Sequence, residues 1–305
     1  MISALTGEPL LSICVVMSGW NSILKTVVVT GSGAAAFLLY RLGSTIVKSG
    51  FSNRISTVSE ALQSHYNNSS ANLCTALPGL DFTKLNFHSL LAELCHSLCR
   101  TDPLLPNRAL EIYSSVGSGC FELAKYFRHV IGVEERPYLF VAAAHLKSVG
   151  KIVYSLPAEG ESTETKIASI PSDIIRERVE FILENPSNLP SDVGEFACVL
   201  IADSLTSLPN PKAVIEHICG FIVDGGFLVV ASTNNWSKIP KDLWIGGKGN
   251  KKGDSTFEVI DRLLEKSFER FPLPGNQNQL AYFYPKTTQI WELRIPKVAV
   301  WKKVK

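Results

Sequence analysis

The sequence predicts an α/β protein built on a doubly wound, mostly parallel sheet of seven strands. From residue 108 onward, short apolar runs alternate with amphipathic helical segments, which is the pattern of parallel strands joined by crossover helices. A turn of small residues, "SSVGSG" at 114–119, follows the first of these runs. A last apolar strand, "KVAVWKK" at 297–303, closes the chain. Helices are therefore expected on both faces of the sheet.

The predicted elements follow one another with short turns between them. Strands are expected at 109–112, 130–133, 179–183, 196–202, 226–232 and 297–303, and helices at 120–127, 137–149 and 211–222. Residues 255–273 supply one more helix and one more strand. Ahead of them, 43–105 carries helical apolar spacing, so we expect a helical lead-in followed by a sheet domain at 106–305.

The composition narrows the class of protein. With 305 residues and 46% hydrophobic side chains, the chain is long enough to bury a substantial core. A net charge of +2 lacks the basic footprint of a nucleic-acid-binding protein, so no nucleic-acid partner is expected. The 7 cysteines are odd in number and scattered, which indicates reduced thiols in a domain facing the cytosol.

An apolar segment lies near the N-terminus. Between Pro9 and Tyr40 the only charged side chain is Lys25, and about 20 such residues suffice for a helix to cross a bilayer. We expect an N-terminal segment at 1–20, then a transmembrane or apolar anchor helix at 21–42 that associates the protein with a membrane through residues 21–40.

Two other interpretations of this segment stay open. It could be a buried helix packed on the sheet domain. The stretch "VVVTGSGAAA" (27–36) also matches a dinucleotide-binding fingerprint, although the acid expected about 20 residues later is missing.

Charges flanking the segment suggest an orientation. Arg41 and Lys48 follow it and Glu8 precedes it, which by the positive-inside tendency places the following domain in the cytosol. The terminal "KKVK" (302–305) fits a dilysine retrieval signal of the endoplasmic reticulum. The expected location is a membrane, with the endoplasmic reticulum as the candidate and a cytoplasmic location as the alternative.

Three strand ends carry groups that suit a nucleoside cofactor. In an open parallel sheet a ligand binds beyond the carboxyl ends of the strands. The turn after the first strand offers backbone N–H groups at close range through Ser114, Ser115, Gly117, Ser118 and Gly119. Glu134 ends the second strand, where a carboxylate can accept both ribose hydroxyls. Asn185 follows the third strand, where its side chain can bind an adenine amino group.

A second group of residues is placed to handle a substrate. Asp203 follows the fourth strand and is our first candidate for an acid–base or orienting group, the alternative being a helix N-cap. Trp236 and Trp244 could line a pocket for an aromatic ring or a sulfonium, or could be packing residues. We expect no metal site, because the cysteines of "CHSLC" (95–99) share one helical face and are typical of core packing.

The chain resembles the C-terminal methyltransferase domain of ovothiol synthases, which methylates an imidazole nitrogen of 5-thiohistidine. The resemblance runs from about residue 60 to residue 303. The stretches that carry it are "LQSHY" (62–66), "ALEIYSSVGSGCFELAKYF" (109–127), "VIGVEE" (130–135), "NNWSKIPKDLWIGG" (234–247) and "VAVWKK" (298–303).

The resemblance implies a class I, Rossmann-like methyltransferase that uses S-adenosyl-L-methionine. Its acceptor would be a small imidazole or thiol compound of the thiohistidine type. Glu111, Tyr113 and Ala202 then occupy cofactor-binding positions beside the residues named above. His65 and Tyr66 match a His-Tyr pair that would close over the active site as catalytic residues, the alternative being an ordinary histidine and tyrosine at the end of a helix.

Several positions depart from the family pattern. Tyr113 stands where the family carries a glycine, Asn185 replaces an aspartate, and Ala197 replaces an acid. The stretch "PKTTQIW" (285–291) replaces a cluster of Glu, Arg and Lys. These departures leave an alternative open, a catalytically silent and membrane-tethered binding or scaffold protein. We favour the enzyme.

Overall fold

The computed structural model describes residues 51–66, 77, 79, 81, 85–237, 239–247, 253–275 and 278–304, with the backbone alone for 51–55. The sequence predictions for 1–20 and 21–42 lie outside these residues and stay predictions. Within the described ranges, no helix combines the length and apolar character needed to cross a membrane.

The strands of the main sheet confirm the predicted fold class. Its seven strands stand in the order β5-β2-β1-β6-β7-β11-β8. They are β1 (Arg108–Ile112), β2 (His129–Glu134), β5 (Val179–Leu183), β6 (Phe196–Ala202), β7 (Ile222–Ser232), β8 (Phe268–Phe271) and β11 (Lys297–Lys303). The pairs from β5 to β7 are parallel, and β11 runs antiparallel to both β7 and β8. The chain order reverses at β1, between β2 and β6.

The helices cover both faces of this sheet. They are α1 (Phe51–Tyr66), α2 (Phe87–Cys99), α3 (Ser118–Leu123), α4 (Pro137–Val149), α5 (Pro211–Ile218) and α6 (Thr256–Leu264). One buried cluster lies under α1 to α4, and a second lies under α5 and α6. Every residue of β6 except the last is buried, as expected for a central parallel strand with helices on both faces.

The predicted lead-in supplies part of the core of the sheet domain. Helix α2 packs against β6, β7 and α3, and α1 packs against α4. Cys95 and Cys99 are buried with Leu91 on one side of α2, as expected from their spacing. The lead-in helices therefore complete one face of the sheet.

Three elements have bounds that differ from the predictions by two residues or more. The helix predicted at 120–127 is α3, which begins at Ser118 and ends at Leu123. The helix predicted at 211–222 ends at Ile218, and β7 begins at Ile222 instead of 226. An irregularity between β6 and β7 lies between Phe196 and Cys198, so the early part of β7 does not continue the register of the rest.

Two antiparallel hairpins were not predicted. One joins β3 (Lys151–Pro157) to β4 (Thr163–Ser169), and the other joins β9 (Tyr282–Pro285) to β10 (Trp291–Arg294). Their strands are rich in charged and hydroxyl side chains and alternate weakly, which is why the apolar pattern did not reveal them. The β9–β10 hairpin contributes to the site described next.

Candidate active site

Strained backbone marks the carboxyl edge of the sheet. Four residues other than glycine have positive φ: Tyr113 (58°), Ser115 (55°), Asp203 (50°) and Asn234 (53°) among the described residues. They follow β1, β6 and β7. Such conformations are uncommon for L-residues and persist where the surroundings impose them, often at functional sites.

The turn after β1 is tied to its neighbours by backbone hydrogen bonds. The N–H of Ser114 donates to the carbonyl of Val133 over 3.0 Å, and the N–H of Gly117 donates to the carbonyl of Ser114 over 2.9 Å. Gly117 has φ of 84° and lies so close to Phe181 that a Cβ there would approach the ring to 2.5 Å. Helix α3 starts directly after this turn.

Glu111 lies below the turn, buried in the sheet. Its Oε2 accepts the thiol proton of Cys120 over 2.9 Å. A Cβ on Gly119 would come within 2.1 Å of Glu111 Oε1, so only glycine leaves room for the carboxyl. Burial raises the pKa of Glu111 from 4.5 to about 7. Glu111 therefore supports the turn from beneath.

Glu134, the predicted ribose acceptor, ends β2 and is fully buried. Its Oε2 accepts the backbone N–H of Ser115 over 2.8 Å. Arg136 donates to the same carboxylate from Nε over 2.7 Å, from Nη2 over 2.8 Å and from its backbone N–H over 3.0 Å. The carboxylate stands where the sequence placed it, and a guanidinium that the sequence did not single out covers it.

Tyr113 lies beside Arg136, the residue that covers the Glu134 carboxylate. Its hydroxyl is hydrogen-bonded to the carboxylate of Glu135, and its ring lies 4.8 Å from the guanidinium carbon of Arg136. The side chain is 5% exposed and belongs to the buried cluster of the α5–α6 face, so it points away from the lead-in helices. Tyr113 thus packs against Arg136, the side-chain partner of Glu134.

Asn185 stands at the end of β5 as predicted, but its acceptor is already engaged. Asn185 Oδ1 accepts the backbone N–H of Ser187 over 2.8 Å and caps a short turn of helix. An adenine amino group would have to share this oxygen with the turn.

Asp203 lies on the other side of β1, at the end of β6. Its Oδ2 accepts the hydroxyl proton of Tyr282 over 2.5 Å, and its Oδ1 accepts the backbone N–H of Thr233 over 2.8 Å. Burial raises the pKa of Asp203, and these hydrogen bonds partly oppose that rise. The alternative reading of Asp203 as the cap of a helix is not what the structure shows, because its side chain bonds across to β7 and β9.

The Tyr282 hydroxyl is part of a longer polar chain that sequence reasoning missed. Arg294 Nη1 donates to it over 3.4 Å, and the Arg294 guanidinium carbon lies 3.7 Å from the ring centre of Tyr284. The hydroxyl of Tyr284 in turn reaches Glu60 Oε2 on α1 at 3.5 Å. The β9–β10 hairpin supplies aromatic and basic groups close to Asp203. The aromatic run "YFYP" was the available signal.

His65 and Tyr66 lie at the end of α1, against the turn after β1. Tyr66 donates its hydroxyl proton to the carbonyl of Val116 over 2.8 Å, and Ser118 Oγ donates to the carbonyl of His65 over 3.2 Å. The His65 ring lies 4.3 Å from that of His88, and burial lowers the pKa of both imidazoles, that of His88 to about 4. The pair lies against the turn after β1, and its role as a catalytic pair stays a prediction.

The two candidate substrate-binding tryptophans are fixed by structural contacts. Trp236 is buried, and its Nε1 donates to Thr256 Oγ1 over 3.0 Å. Trp244 Nε1 donates to the carbonyl of Ile239 over 2.7 Å, and the ring packs beside the cluster of the α5–α6 face. Ala197 is buried in β6, and Ala202 ends that strand half-buried. Trp236 is thus packed in the core, whereas Trp244 also lines a surface pocket together with residues of α5 and α6. A substrate-binding role stays a prediction for both tryptophans.

Comparisons with known proteins give a distant structural likeness only. No family model and no curated protein matches the chain. Among solved structures, magnesium protoporphyrin IX methyltransferase from Synechocystis, crystallised with S-adenosylmethionine, is 13% identical with a TM-score of 0.41, over 81% of this chain and 97% of that one. The N-methyltransferase NodS from Bradyrhizobium japonicum, with S-adenosylhomocysteine, is 10% identical with a TM-score of 0.43, over 81% and 99%. The glycopeptide N-methyltransferase MtfA is 14% identical with a TM-score of 0.41, over 71% and 93%. Values this low assign no activity to the chain.

Proposed function

We propose that the protein is an S-adenosyl-L-methionine-dependent methyltransferase that acts on a small imidazole or thiol acceptor of the thiohistidine type. The observation that carries the proposal is the meeting of three features at one edge of the sheet. These are the positive-φ turn after β1, the buried carboxylate of Glu134 at the end of β2, and the Asp203–Tyr282 pair at the end of β6.

The chain's residues fit this cofactor by position. Glu134 is one strand away from the turn, as the binding of ribose hydroxyls beside a small-residue turn requires. The side-chain oxygen of Asn234, which follows β7, is buried and has no hydrogen-bond partner within the described part of the chain. A buried acceptor without a donor is costly, and a donor group on a ligand would relieve that cost.

Asp203 is placed to serve the acceptor. Bound S-adenosylmethionine supplies an electrophilic methyl group, so the protein's part is to align the acceptor and handle its proton. The raised pKa of the Asp203 carboxyl makes it a better proton acceptor near neutral pH than an exposed aspartate. Tyr282 fixes the carboxylate's orientation, and the aromatic side chains of β9 offer a face for an imidazole ring.

Calorimetric titration of the full chain with S-adenosylmethionine and S-adenosylhomocysteine tests the cofactor assignment, with a Tyr113→Gly variant beside it. Micromolar binding by the native chain supports the proposal, and methyl transfer to thiohistidine then tests the acceptor. Binding by the glycine variant alone identifies Tyr113 as the residue that silences the site. Binding by neither of these, nor by a variant that lacks the Arg136 guanidinium, rejects the methyltransferase and leaves a silent binding or scaffold protein.

A further inference from the structure

The carboxylate of Glu134 has no free capacity for a ligand. An ionised carboxylate offers about four acceptor positions. Here each oxygen accepts two N–H groups, Oε1 from the backbone and Nε of Arg136, and Oε2 from the backbone of Ser115 and Nη2 of Arg136. A ribose that binds here has to displace two of these four donors.

The two side-chain donors of Arg136 are the ones that can leave. The backbone donors belong to the turn after β1 and to the start of α4, and both are fixed by the fold. The Arg136 side chain is 30% exposed, so its guanidinium stands at the rim and can be hydrated when it swings outward. A guanidinium fork presents two parallel N–H groups to a carboxylate, as two vicinal ribose hydroxyls present two O–H groups. Arg136 therefore occupies the position of the diol.

Tyr113 stabilises Arg136 in this position. Its ring lies 4.8 Å from the guanidinium carbon, a cation–π distance, and its hydroxyl is held by Glu135. The ring is held at its far end, so it forms a fixed platform for the arginine. The glycine that the related family carries at this position has no ring to provide such a platform.

We propose that Arg136 is a specificity-determining residue of the donor site, an internal competitor that holds the Glu134 carboxylate until a ligand with a vicinal diol displaces it. This inference rests on the proposed function, because it presumes a ribose-bearing donor. Ligand affinity is lowered by the free energy of the Arg136–Glu134 pair, and only ligands that offer two donors to the carboxylate replace the interactions that are lost. Ligands that lack the diol do not open the site.

The test is calorimetric titration of S-adenosylhomocysteine into the full-length native chain and four variants. Arg136→Ala removes the competitor and should bind at least tenfold more tightly than the native chain. Arg136→Lys keeps the charge but not the fork, and an intermediate gain is expected. The double variant Arg136→Ala with Glu134→Gln should lose the gain. Arg176→Ala is the matched control, because Arg176 contacts the carbonyl of Lys147 near the other end of α4 and lies outside the site.

The outcomes separate this inference from the proposed function. Tighter binding by Arg136→Ala, whether or not the native chain binds measurably, supports the competitor. Equal or weaker binding by Arg136→Ala, when the native chain binds, overturns the competitor and leaves the cofactor assignment intact. Binding by no variant overturns both. Thermal unfolding of each variant shows whether it is folded, and if the alanine variant is not, the lysine variant decides. A 2′-deoxy analogue of S-adenosylhomocysteine should gain at least as much affinity from Arg136→Ala as S-adenosylhomocysteine does, because it cannot displace Arg136 in the native chain.

Discussion

We call the part of the candidate site around Glu111 and Glu134 the donor side and the part around Asp203 the acceptor side, after their proposed roles. The two sides are built differently, although both lie at the carboxyl edge of the same sheet. On the donor side, the acids are buried and satisfied by the chain itself, Glu111 by Cys120 and Glu134 by Arg136. On the acceptor side, Asp203 is held by a single tyrosine and a backbone N–H, and the tyrosine stands on a hairpin with exposed neighbours. The donor side is therefore tightly packed and intolerant of added volume, whereas the acceptor side depends on individual hydrogen bonds.

The largest effect should follow from adding one carbon beneath the donor turn. Gly119→Ala places a Cβ 2.1 Å from Glu111 Oε1 and 2.7 Å from Oε2, so the buried carboxyl or α3 has to shift. We expect a loss of about 3 kcal/mol in the free energy of unfolding, measured by urea denaturation. Gly220→Ala is the control, because its Cβ would have no atom within 4 Å. Equal stability of the two variants would show that the donor side is not tightly packed.

The second prediction concerns the pH dependence of the donor side. Burial raises the pKa of Glu111 to about 7, so the folded protein binds this proton more tightly than the unfolded chain does. The resulting stability is fully present below the unfolded value of 4.5 and is lost as the pH rises through about 7. Between these two pH values the free energy of unfolding falls by about 3 kcal/mol.

Glu111→Gln has no such proton and tests this sign. Its stability relative to the native chain should improve by about 3 kcal/mol between about pH 4.5 and pH 8, measured by urea denaturation across that range. A constant difference between the two proteins would mean that Glu111 is ionised throughout and that the donor side is less desolvated than its burial indicates.

The acceptor side should respond to a single hydroxyl. Tyr282→Phe keeps the ring, which stacks on Phe87 at 4.7 Å, and removes the donor to Asp203 together with a longer, 3.4 Å contact from Arg294. We expect a loss of about 2 kcal/mol in the free energy of unfolding, because the bond is to a charged acceptor. Tyr284→Phe, on the same hairpin, removes only a 3.5 Å contact with Glu60 and should cost little. Similar losses for both would argue against a special role of Tyr282.

The smallest effect is expected where the lead-in meets the donor turn. Tyr66→Phe removes the hydroxyl that donates to the Val116 carbonyl over 2.8 Å. A loss of about 1 kcal/mol is expected in thermal or urea unfolding. If S-adenosylhomocysteine binds, its affinity should fall as well, because this bond fastens α1 over the turn. An unchanged affinity would assign Tyr66 to structure alone.

Most of the sheet could be predicted because each central strand is apolar on both faces. The run 196–202 has no other way to bury its side chains than a parallel sheet covered by helices, and its predicted bounds match β6. The early start of β7 could not be predicted, because "IVDGG" carries a charge and two glycines that read as a turn. The β9–β10 hairpin was not predicted for a related reason, since two short, half-exposed strands do not show the alternating apolar pattern that predicts a strand.

The sequence predicts which residues stand at the strand ends of the candidate site but not which groups they bind, and their roles in binding and catalysis stay predictions. The strand-end positions of Glu134, Asn185 and Asp203 follow from the strands themselves. Their hydrogen-bond partners do not, because Tyr282 lies 79 residues from Asp203, and Arg136 is close to Glu134 in sequence without any signal that its side chain folds back.

The sequence by itself determined the order of strands and helices, the small-residue turn after β1 and the acids at the strand ends. These depend on local pattern, which fixes which side chains must be buried and where a strand must stop. Only the tertiary structure decided which donors bind those carboxylates. In the completed fold Glu134 binds Arg136 beside the Tyr113 ring, Asp203 binds Tyr282, and α1 lies against the turn after β1. The physical reason is that a buried charge takes the donor that the completed fold brings nearest, and sequence separation does not restrict that choice.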